Sequence, residues 1–289
     1  MTVILLLGLG FACFDSASSF STSKIHPSRD FPIQQVKTDS EEEIESLCHI
    51  VDQEFSFYLE DADAYLFLSE DGEHILKFFK MRKITPKYWL NHIPVPWLHK
   101  KRLSKVVDRE RIRQEMMGTL SAIYEQFRYQ TGLVYLHLFK TDYLKTKVTL
   151  IDQNGKKRKV SLDEVPFDLR KRAVLVPDYL DKCLANGEER EAVTFLCSIL
   201  DFVKRGCKLG FAGYSDKIDM DFGLLDGRLV YLSLSHIEKD DTYKTARSTL
   251  IEVFRISRSL DSWLQNRYPS LAQAVQDETQ DLLSFLEEG

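Results

Sequence analysis

The stretch Asp219–Ile237, DMDFGLLDGRLVYLSLSHI, gathers three aspartates, two serines and a histidine, and the preceding GYSDKIDMD adds Asp216. Carboxylates at this density can accept a proton from a reacting group or hold a divalent cation. The hydroxyls and the imidazole are a weaker signal. Ser233, Ser235 and His236 are too close in the chain to form a triad without an orienting acid. A second chemical residue is Lys77 in EHILKFFK, where Ile75, Lys77 and Phe79 share one face of a strand. A lysine in that setting must reach solvent or meet an anion, because burying an unpaired ammonium is costly. His137 in YLHLF shares a face with Tyr135 and Phe139 and is expected to be a hydrogen-bonded core residue.

These residues need elements to hold them. Phe55–Lys83 reads as strands around an Asp71-Gly72 hairpin turn, with FSFYL as an earlier strand. Ile112, Met116, Leu120, Ile123 and Phe127 recur at three- and four-residue steps, so an amphipathic helix is expected from Val106 to about Tyr129. LVYLHLFKT and KVTLIDQNGKKRKVSL read as further strands, the latter turning at Asn154-Gly155. After Pro177 the pattern becomes helical, interrupted only by a hairpin at Asp226-Gly227. Strand-rich and helix-rich halves therefore segregate, which defines an α+β class. The expected organisation is a signal peptide over residues 1–20, a linker and short helix over 21–50, a sheet-rich lobe with one helix over 51–170, and a helical lobe with one hairpin over 171–289.

With Lys77 and the GYSDKIDMD segment in view, the element order resembles the protein kinase-like superfamily of protein and small-molecule phosphotransferases. The resemblance spans roughly residues 50–285 in architecture and rests on two short motifs. It implies a two-lobe fold, with a small antiparallel-sheet N-lobe and a mainly helical C-lobe. Lys77 matches the V-A-I-K lysine that meets nucleotide phosphates and a helix glutamate. Glu115 is the candidate for that glutamate, with Glu110 and Glu125 as competitors. Asp216 and Asp221 match the Asp and Asn of H-R-D-L-x-x-x-N, so Asp216 takes the place of the base and Asp221 that of a metal ligand. Asp221-Phe222-Gly223 is not the Asp-Phe-Gly motif of the family, because that motif follows the second strand of this hairpin. Its position falls at Ser233-Leu234-Ser235.

The departures from the family are substantial. Ser233 stands where a carboxylate would bridge magnesium to phosphate, and a neutral hydroxyl does not offset that charge. YLEDADAYLFL, Tyr58–Leu68, has no glycine where a phosphate-binding G-x-G-x-x-G belongs. Glu60, Asp61 and Asp63 instead put negative charge there, each opposing a phosphate by roughly 1 kcal/mol at contact distance in solvent. The leading expectation is a catalytically impaired kinase-like protein, a pseudokinase acting as a binding or scaffold module for a protein partner, without a cofactor. The alternatives are an atypical phosphotransferase using ATP with Mg²⁺ or Mn²⁺ through Lys77 and Asp216, and an exported α+β protein of unrelated fold.

Composition narrows the setting. The 289 residues carry a net charge of −5 with a pI near 5.9, which gives no global basis for binding nucleic acid or an anionic membrane. Val3–Phe14 is nearly all apolar and is followed by small polar residues, which predicts an export signal too short to remain as a membrane span. None of Cys13, Cys48, Cys183, Cys197 and Cys207 forms a Cys-x-x-Cys pair, so zinc and thioredoxin chemistry have no support. The last four could pair as disulfides after export, but the leading expectation is that they serve as small apolar core residues.

Overall fold

A computed structural model describes residues 20–27, 40–81 and 99–287 of the chain. The apolar run Val3–Phe14 and the loop carrying Pro94 and Pro96 lie outside them. The class is α+β, as expected. The first half is built on β1 (Glu54–Glu60), β2 (Ala64–Ser69), β3 (His74–Phe79), β4 (Leu133–His137), β5 (Lys147–Ile151), β6 (Lys157–Ser161) and β7 (Phe167–Lys171). They form one seven-stranded sheet in the order β4-β7-β3-β2-β1-β5-β6. The small antiparallel sheet expected from sequence is thus larger and mixed, because β1 pairs parallel with β5 while every other neighbour is antiparallel. Gly72 at φ +75° and Gly155 at φ +76° make the two predicted hairpin turns, a conformation that costs glycine little.

Strand alternation gives the sheet two faces. Leu76 and Phe78 of β3 point to one, with Phe55, Phe67, Leu169 and Phe167, and form a dry core there. That core is completed by α1 (Thr22–Ile25) and α2 (Glu41–Val51). Phe20 is buried and meets Tyr65 and Phe67 edge-on, with ring centroids 5.2 and 5.0 Å apart, and Ile25 is fully buried. Residues 20–27 are therefore packed structure, not the linker that Pro27 and the polar composition implied. Helix α2 starts in a capping box between Ser40 and Glu43. Glu43 also accepts from Arg128 at 2.8 Å.

Ile75, Lys77 and Phe79 project to the opposite face, towards α3 (His99–Gln126) and the helical half. Helix α3 begins earlier than predicted and is followed by a turn of helix, α4 (Arg128–Thr131). Its buried stripe runs through Val106, Arg113, Met117, Leu120 and Ile123 and continues to Phe127 just past its end, while Ile112, assigned to the core by periodicity, is exposed. Arg113 can be buried because Glu110, one turn back, pairs with it.

The chain then crosses through β8 (Val174–Leu175) into α5 (Val176–Asn186) and α6 (Glu189–Lys208). After β9 (Phe211–Ala212) comes the segment 213–217, then a turn of helix, α7 (Ile218–Asp221), and the hairpin β10 (Phe222–Leu225) and β11 (Arg228–Tyr231). A short strand β12 (Glu238–Lys239) pairs with β9, and α8 (Ala246–Arg267) and α9 (Pro269–Glu287) close the helical half. Phe222 is buried, and Gly223 lies in β10 where a Cβ would stand 2.7 Å from the Val174 carbonyl oxygen. The Asp-Phe-Gly triplet is therefore the entry to a hairpin, with glycine required by close strand packing. Cys48, Cys183, Cys197 and Cys207 are all free thiols, and Cys183 and Cys207 are buried.

Candidate functional site

Lys77 sits where β3 is flanked on both sides, opposite Leu66 of β2 and Asp168 of β7. It is 4% exposed, and among the described residues its ammonium makes no hydrogen bond or ion pair. The nearby Asp168 carboxylate is already committed. Arg170, two residues along the same face, donates Nε to Oδ1 at 2.8 Å and Nη2 to Oδ2 at 2.6 Å, and its remaining amino group reaches the carbonyl of Leu232. Arg170 thus ties the sheet to the segment immediately before Ser233. Burial pushes the Lys77 ammonium below the ordinary lysine range, and Arg170 adds to this, while Asp168, Asp61 and Asp221 oppose it.

Those opposing groups identify what the tertiary fold gathers around Lys77. Asp61 comes from the β1–β2 turn and Asp221 from the end of α7. Asp221 is itself raised above the ordinary carboxylate value by burial, with Asp61 adding to the shift and Ser215, Lys217 and His236 opposing it. Ser233 is buried nearby in sequence from Leu232. The acidic turn is less repulsive than its sequence implied. Glu60 is neutralised by Lys80 at 2.7 Å, and the same ammonium hydrogen bonds the Asp61 carbonyl.

Two assignments made from sequence differ from the geometry. Glu115 does not pair with Lys77; it is exposed and accepts from Arg111, four residues earlier on α3, at 2.8 and 3.1 Å. Asp216 is likewise held elsewhere, by a salt bridge to Arg255 of α8. It lines an open cleft of about 540 Å³ with Arg258, Trp263 and Arg267. The structure groups Lys77 with Asp221 and leaves Asp216 on the α8 side of the 213–217 segment.

That segment is held by a residue the sequence reading passed over. Glu252 on α8 is 8% exposed, and its Oε1 accepts from the backbone N–H groups of Gly213 and Tyr214, both at 2.9 Å. Arg255 braces it, Nε to Oε2 at 3.0 Å and Nη2 to Oε1 at 2.8 Å. Ser215 N–H donates to the Tyr231 hydroxyl at 2.8 Å, and Leu232 N–H to the Asp221 carbonyl at 2.7 Å. The sequence signal for Glu252 was an acid on the apolar stripe Thr249, Val253, Ile256 and Leu260; for Asp168 and Arg170 it was two opposite charges on one face of a short strand, FDLRK.

His137 is a satisfied core residue, as expected, with Nδ1 3.0 Å from the Val165 carbonyl and Nε2 3.1 Å from the Thr141 hydroxyl. Chemically, the Lys77 cluster mixes two cations with three carboxylates. A divalent ion fits it poorly: Asp168 is spent on Arg170, burial holds the Asp221 carboxyl above its ordinary value, and Ser233 brings no charge. No family model matches this chain, and no curated protein or solved structure matches it. No helix among the described residues is long and apolar enough to cross a membrane.

Proposed function

We propose that this chain is a kinase-like protein impaired in phosphoryl transfer, a pseudokinase that serves as a binding or scaffold module for a protein partner. The observation that carries this reading is the Asp168–Arg170 ion pair directly across from Lys77. In the two-lobe fold of the proposed resemblance the lysine equivalent to Lys77 meets nucleotide phosphates, so what stands beside Lys77 bears directly on nucleotide binding. A bidentate guanidinium–carboxylate pair there occupies space, removes the acid nearest Lys77 and is expensive to displace. Ser233 and the acidic β1–β2 turn support the same reading. The test is a thermal-shift titration with ATP and Mg²⁺ or Mn²⁺. A ligand at about 100 times its dissociation constant stabilises a fold by roughly 2.7 kcal/mol, and no such shift is expected here. Ser233→Asp combined with glycines at Glu60 and Ala62 provides the restoration control.

A second reading rests on Lys77 itself. A buried ammonium without a direct partner attracts an entering anion, which suits an atypical phosphotransferase with Asp221 and Asp216 in service. Turnover of Mg²⁺-ATP by the natural chain, lost in Lys77→Ala and in Asp216→Ala, would establish this reading and end the first. Export through the apolar run Val3–Phe14 belongs to the same proposal, since ATP is scarce outside the cytoplasm. N-terminal sequencing of the native protein tests it, and retention of Met1 or Thr2 in a cytosolic fraction rejects it.

A further inference from the structure

A cleft of about 740 Å³ lies between α6 and the β10–β11 hairpin, with Tyr129 of α4 at its rim. We infer that it is a docking groove for an acidic peptide segment of a partner protein that carries an aromatic or aliphatic side chain. This assignment does not depend on whether the Lys77 site binds nucleotide.

Charge is the first argument. Arg190 and Arg205 on α6 and Arg228 on the hairpin all line the cleft. Among the described residues, the guanidinium groups of Arg190 and Arg205 make no ion pair or hydrogen bond. Arg228 meets only the ring of Tyr129, 4.8 Å from its centroid. Three guanidinium groups facing one cleft, with Glu191 as the one carboxylate among the described lining residues, invert the charge of a chain whose net charge is −5. Guanidinium groups bind carboxylates in a bidentate, planar geometry, so side-chain carboxylates are the natural complement.

The floor supplies the second argument. Phe195 and Phe202 form its base, and Tyr179 packs edge-on against Phe195 with centroids 4.7 Å apart. Such a floor takes an apolar side chain between flanking charges, the arrangement of a central anchor and a polar rim. Tyr129, 72% exposed, stands over the rim and gains by being covered. Length fits as well. Arg190 and Arg205 lie fifteen residues apart on one helix, about 22 Å, the span of some six or seven extended residues. A long polyanion such as nucleic acid would extend past the groove into the field of an acidic protein, whereas a short acidic segment meets only the local cations.

The experiment is fluorescence anisotropy with the purified chain and a fluorescein-labelled octapeptide, Glu-Asp-Phe-Glu-Asp-Leu-Glu-Asp, at low and moderate salt. Saturable, salt-sensitive binding is expected, weakened about tenfold or more by Arg205→Glu with Arg228→Glu and to a lesser degree by the Gln pair. Arg258→Glu, in the separate clefts on α8, should leave affinity unchanged, and replacing Phe and Leu of the peptide by Ser should weaken it. All these positions are exposed, and an unchanged melting temperature excludes misfolding as the cause. Absence of saturable binding, binding indifferent to the Arg205 and Arg228 changes, or tighter binding of a single-stranded oligonucleotide of equal charge would each overturn the assignment.

Discussion

Lys77 and Asp168 stand opposite one another across β3 and β7, yet the Asp168 carboxylate is bound in bidentate fashion by Arg170. The lysine is left buried without a direct counterion, so its charged form opposes folding. The folded chain holds this proton less tightly than the unfolded chain, because burial lowers the ammonium below its ordinary value of 10.5. The penalty is complete below the folded value and fades as pH rises from there towards the unfolded one. Lys77→Met should therefore raise Tm at pH 7, and by less near pH 10; a gain of about 1 kcal/mol would be some 2–4 °C in a chain of this size. In an Arg170→Met background Asp168 becomes available to Lys77, and the same Lys77→Met change should then destabilise. A calorimetric double-mutant cycle checks the reversal of sign.

Asp221 gives the opposite pH signature. Burial raises its carboxyl above the ordinary value, so the folded chain binds this proton more tightly than the unfolded chain. The resulting destabilisation is present at neutral pH and disappears as pH falls through the folded value towards 3.8. Asp221→Asn should stabilise at pH 7 and lose that advantage below about pH 4. Equal effects at both pH values would contradict the burial argument.

Glu252 holds the 213–217 segment to α8 through two backbone N–H groups and braces Arg255. Removing the acid strands two donors and leaves Arg255 with Asp216 and the Tyr214 carbonyl alone. Glu252→Ala should cost about 3 kcal/mol or more, measured by urea denaturation. Glu252→Gln keeps an acceptor at Oε1 and should cost distinctly less.

Gly206 and Tyr214 form a tight contact. A Cβ added to Gly206 would lie 1.7 Å from the Tyr214 hydroxyl oxygen, which is itself buried without a hydrogen-bond partner. Gly206→Ala should destabilise by about 1–3 kcal/mol through overpacking. Tyr214→Phe removes an unsatisfied buried hydroxyl and should be neutral or stabilising by about 1 kcal/mol. The double variant should recover part of the Gly206→Ala loss, so the two changes are non-additive in denaturation.

Phe20 bears on the proposed export, for which the sequence puts the start of the mature chain between about Ala17 and Lys24. Because Phe20 and Ile25 are buried against the sheet, a mature chain that keeps its core begins between about Ala17 and Phe20. Phe20→Ala should cost about 3–5 kcal/mol, and a chain starting at Ser28 should melt well below one starting at Ser18. Equal stability of the two truncations would show that the segment contributes nothing.

Local signals were enough to read much of the scaffold. Asp71-Gly72, Asn154-Gly155 and Asp226-Gly227 make the expected turns because those pairs accept positive φ, seen at Gly72, Gly155, Asp226 and Gly227. The helix ending at Asn186 stops where Gly187 takes φ +75°. The alternation in HILKFF put Lys77 on the face away from Leu76 and Phe78, as found. The helix through Met117 was legible as a helix but its face was not, since burial of Arg113 depends on Glu110 closing a salt bridge one turn away.

The sequence by itself determined the α+β class, the hairpins and the strand face that Lys77 shares with Ile75 and Phe79, because turn chemistry and period-two alternation are properties of neighbouring residues. Which carboxylate meets which cation was decided only by the tertiary structure. Asp168 could be paired with Lys77 or Arg170, Glu115 with Lys77 or Arg111, and Asp216 with a substrate or Arg255; chain spacing does not distinguish these. The parallel β1–β5 pairing, the docking of Phe20 and the reach of Glu252 to Gly213 are likewise long-range. Each depends on competition among partners for geometry and desolvation, and that competition exists only once the sheet and helices have packed.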